Sequence, residues 1–290
     1  CGYAVPVFEN CTFSNNVSAV SLSSHNMNGW AEDYVGEAAF TNCTFSNNNS
    51  GGDGNGTCIS ITDPVGLELS NCLFENNSGS AIIYTGLEYT DSVITDCVFR
   101  NNDASGGQSN GVIFETRKSG NLNMQGCLFE NNTAEYQVLS YPQFFEDFAH
   151  LISDSEFKNN TGTGIAVATL GGESSINIEN STITGNSVGG ISDVFSGYTT
   201  TITNTTICNN EEYQIDYEDW VDGGGNSIAE VCFDDCQASD ITDDGFVDVS
   251  DILAILGYWG SSIPAGDVDG NGVVDIGDLL MVVGNWGPCE

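Results

Sequence analysis

Two acidic stretches near the C-terminal end share one plan: DITDDGFVDVSD from Asp240 to Asp251 and DVDGNGVVDIGD from Asp267 to Asp278. Calcium is a hard cation that takes about six to eight oxygen ligands, several of them anionic, from a short flexible loop. A twelve-residue loop supplies them from positions 1, 3, 5, 7, 9 and 12, with glycine at position 6 for the sharp turn. The first stretch offers Asp240, Thr242, Asp244, the Phe246 carbonyl, Asp248 and Asp251, with Gly245 at the turn. The second offers Asp267, Asp269, Asn271, the Val273 carbonyl, Asp275 and Asp278, with Gly272 at the turn. A solvated Asp/Gly-rich turn has no reason to repeat this spacing, so the pattern points to two Ca2+ ions.

The elements around the loops depart from a helix–loop–helix hand. CFDDCQAS before the first loop is too short for a helix, and GSSIPAG before the second carries helix breakers. An apolar run follows each loop, DILAILGYWG and then DLLMVVGNWG, which predicts one short helix per loop. Each unit is thus EF-hand-like in its loop but loop–helix in plan, and position 12 is Asp in both, not Glu. Trp259 and Trp286 occupy matching places, each followed by glycine. Such a pair reads as small-domain core in preference to a carbohydrate platform. Cys236 precedes the first loop and Cys289 follows the second helix, which places them to clasp the domain as a disulfide. A domain this small buries little apolar area, so bound metal should supply much of its stability.

The segment from about Asp235 to Pro288 resembles a dockerin domain, with its two duplicated calcium loop–helix units. The resemblance implies calcium-dependent attachment of a secreted bacterial protein to a cohesin module. It also implies partner contacts at loop positions 10 and 11. These are Val249 and Ser250, then Ile276 and Gly277, in place of the Ser-Thr pair of the best-known type. The duplication implies near two-fold symmetry and two binding orientations.

Upstream, one phrase is written eight times: NCTFSNN at Asn10 and Asn42, NCLFENN at Asn71, DCVFRNN at Asp96, GCLFENN at Gly126, DSEFKNN at Asp154, NSTITGN at Asn180 and NTTICNN at Asn204. Successive copies start 24–32 residues apart, a period that signals a solenoid. In SINIENSTITGN, polar and apolar residues alternate as in a strand, but the phase slips at Asn180. Two strands therefore meet at a tight bend. The bend column holds only Asn, Asp and Gly, the residues that tolerate a left-handed backbone. The next inward column runs Cys11, Cys43, Cys72, Cys97, Cys127, Ser155, Ser181, Thr205. Two residues on runs a column of Phe and Ile. Each copy then turns at a polar pair, mostly Asn-Asn, and a third apolar run usually follows, as in SAIIYTG, GVIFET and GIAVAT. Three short strands per repeat predict an all-β, right-handed parallel β-helix of about eight coils. This body resembles the superfamily that includes pectate lyases, polygalacturonases and many bacterial surface proteins. The expected division is a β-helix over 1–222, a linker at 223–234 and the dockerin-like domain at 235–290.

The chain has 290 residues, 41 acidic and 4 basic, for a net charge of -37. That charge repels nucleic acid and anionic membrane. No stretch is long and apolar enough for a membrane-spanning helix. Eleven cysteines point to a secreted or cell-surface protein. Those in the inward column read as reduced core residues, and Cys208 with Cys232 as a bond closing the end of the helix. The chain opens on Cys1 inside a repeat and reads as the C-terminal part of a longer protein. Catalytic signals are sparse. The His-Gly and Arg-x-Lys phrases of polygalacturonases are absent. For a lyase the one basic pair is Arg117 and Lys118 beside Glu115, and a surface ion pair accounts for it better. Arg100 falls in a turn column with Lys158, and His25 and His150 stand far apart. The phrase EYQV at Glu135 recurs as EYQI at Glu212, with Tyr141, Phe144, Phe145 and Phe148, then Tyr217 and Trp220, close behind. Burial is the preferred reading of these aromatics over sugar stacking. The expected function is a non-catalytic rod, docked through its tail and associated with polysaccharide. The alternatives are a polysaccharide lyase or glycoside hydrolase docked to a cohesin-bearing complex, and a protein-binding adhesin.

Overall fold

The computed structural model describes residues 6–17, 19–22, 36–50, 58–61, 65–79, 81–85, 91–105, 112–116, 120–144, 149–170, 174–195, 198–230, 232 and 238–288. The chain divides into two units, Cys1–Glu230 and Val231–Glu290.

The repeated phrase dictates the coil of the first unit. Its first residue takes the left-handed conformation in every copy, from Asn10 (φ 54°) to Asn204 (φ 48°), with Gly126 (φ 65°) where a side chain is missing. The first residue of the Asn-Asn pair does the same, from Asn15 (φ 58°) to Asn209 (φ 55°). Two left-handed residues bracket a three-residue strand whose middle side chain points inward. The chain thereby turns twice per rung and lays down three parallel sheets. One runs from Val7–Glu9 to Trp220–Asp222, one from Thr12–Ser14 to Ser227–Ala229, and one from Val20–Leu22 to Tyr213–Ile215.

Among the described residues the sheets hold nine, nine and eight strands, so the expected count of eight coils is revised. The extra rung comes from the stretch read as a linker at 223–234. Gly225 (φ 73°) takes the bend, Asn226 the inward column, and Ile228 pairs beside Ile207. GNSI is a worn copy of the phrase, unrecognised because its Cys and Phe are replaced and the closing Asn of the other copies is missing as well.

Inward columns become stacks. The rings of Phe13, Phe45, Phe74, Phe99, Phe129 and Phe157 lie face to face with centroids 4.4–4.8 Å apart, the spacing of paired strands. The second Asn of each pair forms a buried ladder. Asn132 Nδ2 donates to Phe99 O (2.9 Å) and to Asn160 Oδ1 (3.0 Å), while Asn132 Oδ1 accepts from the N–H and Nδ2 of Asn102. The ladder ends at Gln214, whose Oε1 accepts from Asn210 N and Nδ2. The Cys/Ser/Thr column is a second ladder. Cys72 N–H donates to Cys97 Sγ, Cys127 N–H to Ser155 Oγ, and Ser155 N–H to Ser181 Oγ. Asn226 Oδ1 ends it by accepting from Thr205 N–H. Cys, Ser and Thr interchange there because each presents an acceptor to the rung before.

Cys11, Cys43, Cys58, Cys72, Cys97 and Cys127 are free thiols, and burial pushes the Cys58 thiol above its ordinary range. Cys208 and Cys232 are each disulfide-bonded. Cys236 and Cys289 lie outside the described residues. Arg100 is part-exposed, in keeping with a solvated turn residue, and its guanidinium bonds Glu75 Oε2 at 2.9 Å. Tyr217 and Trp220 pack partly buried against the core, in agreement with the burial reading. Tyr141 and Phe144 lie on the strand Thr133–Phe144, and Phe145 and Phe148 fall outside the described residues, as do His25, Arg117 and Lys118.

In the second unit, two helices follow the acidic loops: α1 (Val249–Tyr258) and α2 (Ile276–Gly284). They begin two residues earlier than the apolar runs suggest, because Asp248 and Asp275 cap them. Ala238 and Ser239 are also helical, so the residues before the first loop are not wholly without helix. Val247, Ile255, Val274 and Val282 form a small buried core. Trp259 and Trp286 do not belong to it. They are 48% and 55% exposed, which corrects the reading of this pair as core.

Candidate metal centre

Each loop is built on one aspartate at its end. Asp278 is fully buried. Its Oδ1 accepts from Asp269 N–H at 3.0 Å and its Oδ2 from Asp275 N–H at 2.7 Å. Asp275 in turn accepts from Gly277 N–H at 2.8 Å. This is a capping box, which satisfies two of the free N–H groups at the start of α2. Asp251 does the same for α1, accepting from Thr242 N–H at 3.0 Å and Asp248 N–H at 2.8 Å. Burial alone would raise both carboxyls. The converging amides outweigh it and hold Asp251 and Asp278 below the usual carboxylate range. The sequence carried a signal for these caps in the Asp-x-x-Asp spacing of positions 9 and 12, which the calcium reading absorbed without naming.

The two loops are cross-tied by their eighth residues. Val274 exchanges backbone bonds with Gly260 and Ser261, both at 2.8 Å. Val247 pairs antiparallel with Gly287. Each loop is therefore held by the Trp-Gly segment that ends the other unit's helix. The duplicated sequence thus gives a duplicated, mutually braced structure.

In the second loop, Asp267, Asp269 and Asp278 each bring a carboxylate oxygen within 4.8 Å of the others. Asp267 Oδ2 accepts from Gly272 N–H at 2.9 Å, while its Oδ1 is shielded from solvent with no hydrogen-bond partner. A shielded anionic oxygen without a donor is costly unless a cation completes it. The donor set is oxygen only, which suits a hard cation. The residues present therefore fit calcium. In the first loop, Asp240 Oδ1 accepts from Asp244 N–H (3.1 Å) and Oδ2 from Gly245 N–H (2.8 Å). Asp244 accepts from Phe246 N–H, and Asn271 from Val273 N–H. A cleft of about 600 Å³ opens beside Asp240 and Asp267, also lined by Ile241, Pro264 and Val268.

Of the expected partner residues, Val249 and Ile276 are exposed at the starts of α1 and α2. Ser250 is tied to Asp248, its Oγ donating at 2.6 Å. Gly277 has another reason to lack a side chain, because a Cβ there would meet Asp269 Oδ2 at 2.5 Å. The sequence reading missed the full extent of the exposed apolar set. Phe246, Val249, Leu253, Leu256 and Trp259 are exposed, and so are Val273, Ile276, Leu280, Val283 and Trp286. The second series repeats the first at the same offset that separates Asp267 from Asp240.

Residues 2–142 match the family model described as a right handed beta helix region. The body is a right-handed β-helix repeat. Its rungs keep the same register past the matched residues as far as Ser227–Ala229. No curated protein and no solved structure matches the chain. Among the described residues, no helix is long and apolar enough to cross a membrane. Within the β-helix, two of the groups weighed for catalysis, Arg100 and His150, are described. Arg100 is paired with Glu75. His150 is buried in the column between Leu122 and Ile176, where its Nδ1 accepts from Leu122 N–H at 3.0 Å.

Proposed function

We propose that the second unit is a dockerin-like, calcium-binding docking module that carries the β-helix as a non-catalytic rod. The observation that carries this reading is the duplicated set of exposed apolar residues. Among the described residues of this unit, eleven large apolar side chains are exposed, ten of them in the duplicated set, while four form its buried core. Scattered apolar exposure is ordinary, but a contiguous series repeated with its calcium loop is the mark of a binding surface. The unit has no Lys, Arg or His after Val231, so a complementary partner presents an apolar surface rimmed by basic residues. Calcium in the loops would fix the starts of α1 and α2, where both series begin. The disulfide-bonded Cys208 and Cys232 favour an oxidising, extracellular setting. For the rod, the pairing of Arg100 and the burial of His150 support a structural or polysaccharide-associated role.

The test is binding of the full chain to a panel of purified cohesin modules, in calcium and in EDTA. Calcium-dependent binding that is lost when Leu253→Asp and Leu280→Asp are combined is the expected result. Binding to none of the modules, or binding indifferent to both aspartates, would overturn the docking reading.

A further inference from the structure

The two loops share a plan but not a state. In the second, Asp267 Oδ1 is shielded and unpartnered, and it lies with Asp269 and Asp278 in one converging group. In the first, the equivalent oxygens are already engaged. Asp240 Oδ1 accepts from Asp244 N–H at 3.1 Å. Thr242, which stands where Asp269 stands, donates its hydroxyl to Asp251 Oδ1 at 3.1 Å. Ser250, which stands where Gly277 stands, donates its hydroxyl to Asp248 Oδ1 at 2.6 Å. Three hydrogen bonds at ligand residues of the first loop therefore have no counterpart in the second, and each competes with an ion for an oxygen lone pair. The second loop has internal bonds of its own, from Asn271 N (3.0 Å) and Nδ2 (2.9 Å) to Asp269. The second of these bonds comes from an exposed side-chain amide that can turn away, whereas the first is from a backbone N–H of the loop. The carboxylate number at the ligand positions is equal, four in each. Asp243 adds one charge beside the first loop, but it is exposed and screened.

Resting on the calcium reading above, we propose that the sites are unequal: the second loop fills first, and the first loop is the regulated, weaker site. Positions 3 and 11 set the difference as a pair. An aspartate at position 3 needs glycine at position 11, as Asp269 needs Gly277. The Thr242–Ser250 pair instead closes the first loop on itself. The calcium level that orders the start of α1 is therefore higher than the level that orders α2.

Calorimetric titration of the full chain with Ca2+ tests this. We expect one tight ion and a second bound about tenfold more weakly, the scale of one or two net hydrogen bonds. Asp267→Asn removes the tight phase and Asp240→Asn the weak one. Thr242→Asp combined with Ser250→Gly is a gain-of-binding variant that does not depend on loss of a ligand, and it should raise the weak phase to match the tight one. Two indistinguishable sites in the wild-type chain, or a tight phase that survives Asp267→Asn, would overturn the ordering and leave the docking reading standing. No calcium uptake at all would overturn both.

Discussion

Neighbouring asparagines in one turn answer to different physics. Asn131 sits at φ 54° with its side chain exposed, so its value lies in tolerating a left-handed backbone. Asn132 is buried and carries the ladder. Asn131→Gly should be nearly neutral in urea unfolding and Asn131→Ala should cost about 1 kcal/mol. Asn132→Ala should cost about 3 kcal/mol or more, because it strands the Asn102 donors and the Phe99 carbonyl. Equal costs at the two positions would refute this division of labour. His150 makes a second residue-scale case. Burial lowers its pKa to about 4, against a smaller raising effect of Asp91. The folded pKa lies below the unfolded value of about 6.5, so protonation favours unfolding. Its contribution is complete above pH 6.5 and is lost as the pH falls towards 4, by up to about 3 kcal/mol. His150→Gln keeps an acceptor for Leu122 N–H and removes the titration. In this variant, stability should change with pH across that window by one proton less than in the wild type. An unchanged slope would show that His150 is not the group responsible.

Elements in this chain are set by columns, and a column can be tested by its exceptions. Gly189 lies beside Tyr213 in the third sheet, and a Cβ there would overlap the Tyr213 ring. Tyr213 uses the space to reach Thr163 Oγ1 at 2.9 Å. Gly189→Ala should destabilise by about 1–3 kcal/mol, and the penalty should nearly vanish in a Tyr213→Ala background. A penalty that persists there would place the glycine's role in its backbone. Such exceptions mark where the sequence is hard to read. The bend, Cys and Phe columns were legible because the period holds over eight copies, with Cys in five of them and Phe in six. The ladder ends at Gln214 and Asn226 were not, since each occurs once and is defined only by the rung before it. The duplicated plan of the two acidic loops was legible from spacing, whereas the exposure of Trp259 and Trp286 was not. An apolar series repeating along a helix looks the same whether it faces a core or a partner. The disulfide-bonded Cys208 and Cys232 could be paired on paper only by their position at the end of the repeats.

At the scale of the whole molecule, two units stabilised by different means should respond differently to one reagent. The β-helix stacks its Phe rings and runs its amide ladder from Asn16 to Gln214. Its parallel strands pair rung on rung, so removing a divalent cation takes nothing from it. Among its described residues the second unit has four fully buried apolar side chains, and its second loop brings three carboxylates together. Its fold depends on the caps made by Asp251 and Asp278 and on the cross-ties at Val247 and Val274. A ligand that binds only the folded unit stabilises it by mass action, by about 2.7 kcal/mol at a hundredfold excess over its dissociation constant. Thermal unfolding of the full chain in calcium should therefore show a transition reported by Trp259 and Trp286 fluorescence that EDTA moves to lower temperature. The strand signal in far-ultraviolet circular dichroism should melt at the same temperature with and without chelator. A tryptophan transition indifferent to EDTA would mean that the caps and cross-ties alone hold the second unit, and that the acidic loops are not a calcium store for its stability. A strand transition that moved with EDTA would place a divalent cation in the rod, where no group of three metal-ligating side chains stands among the described residues.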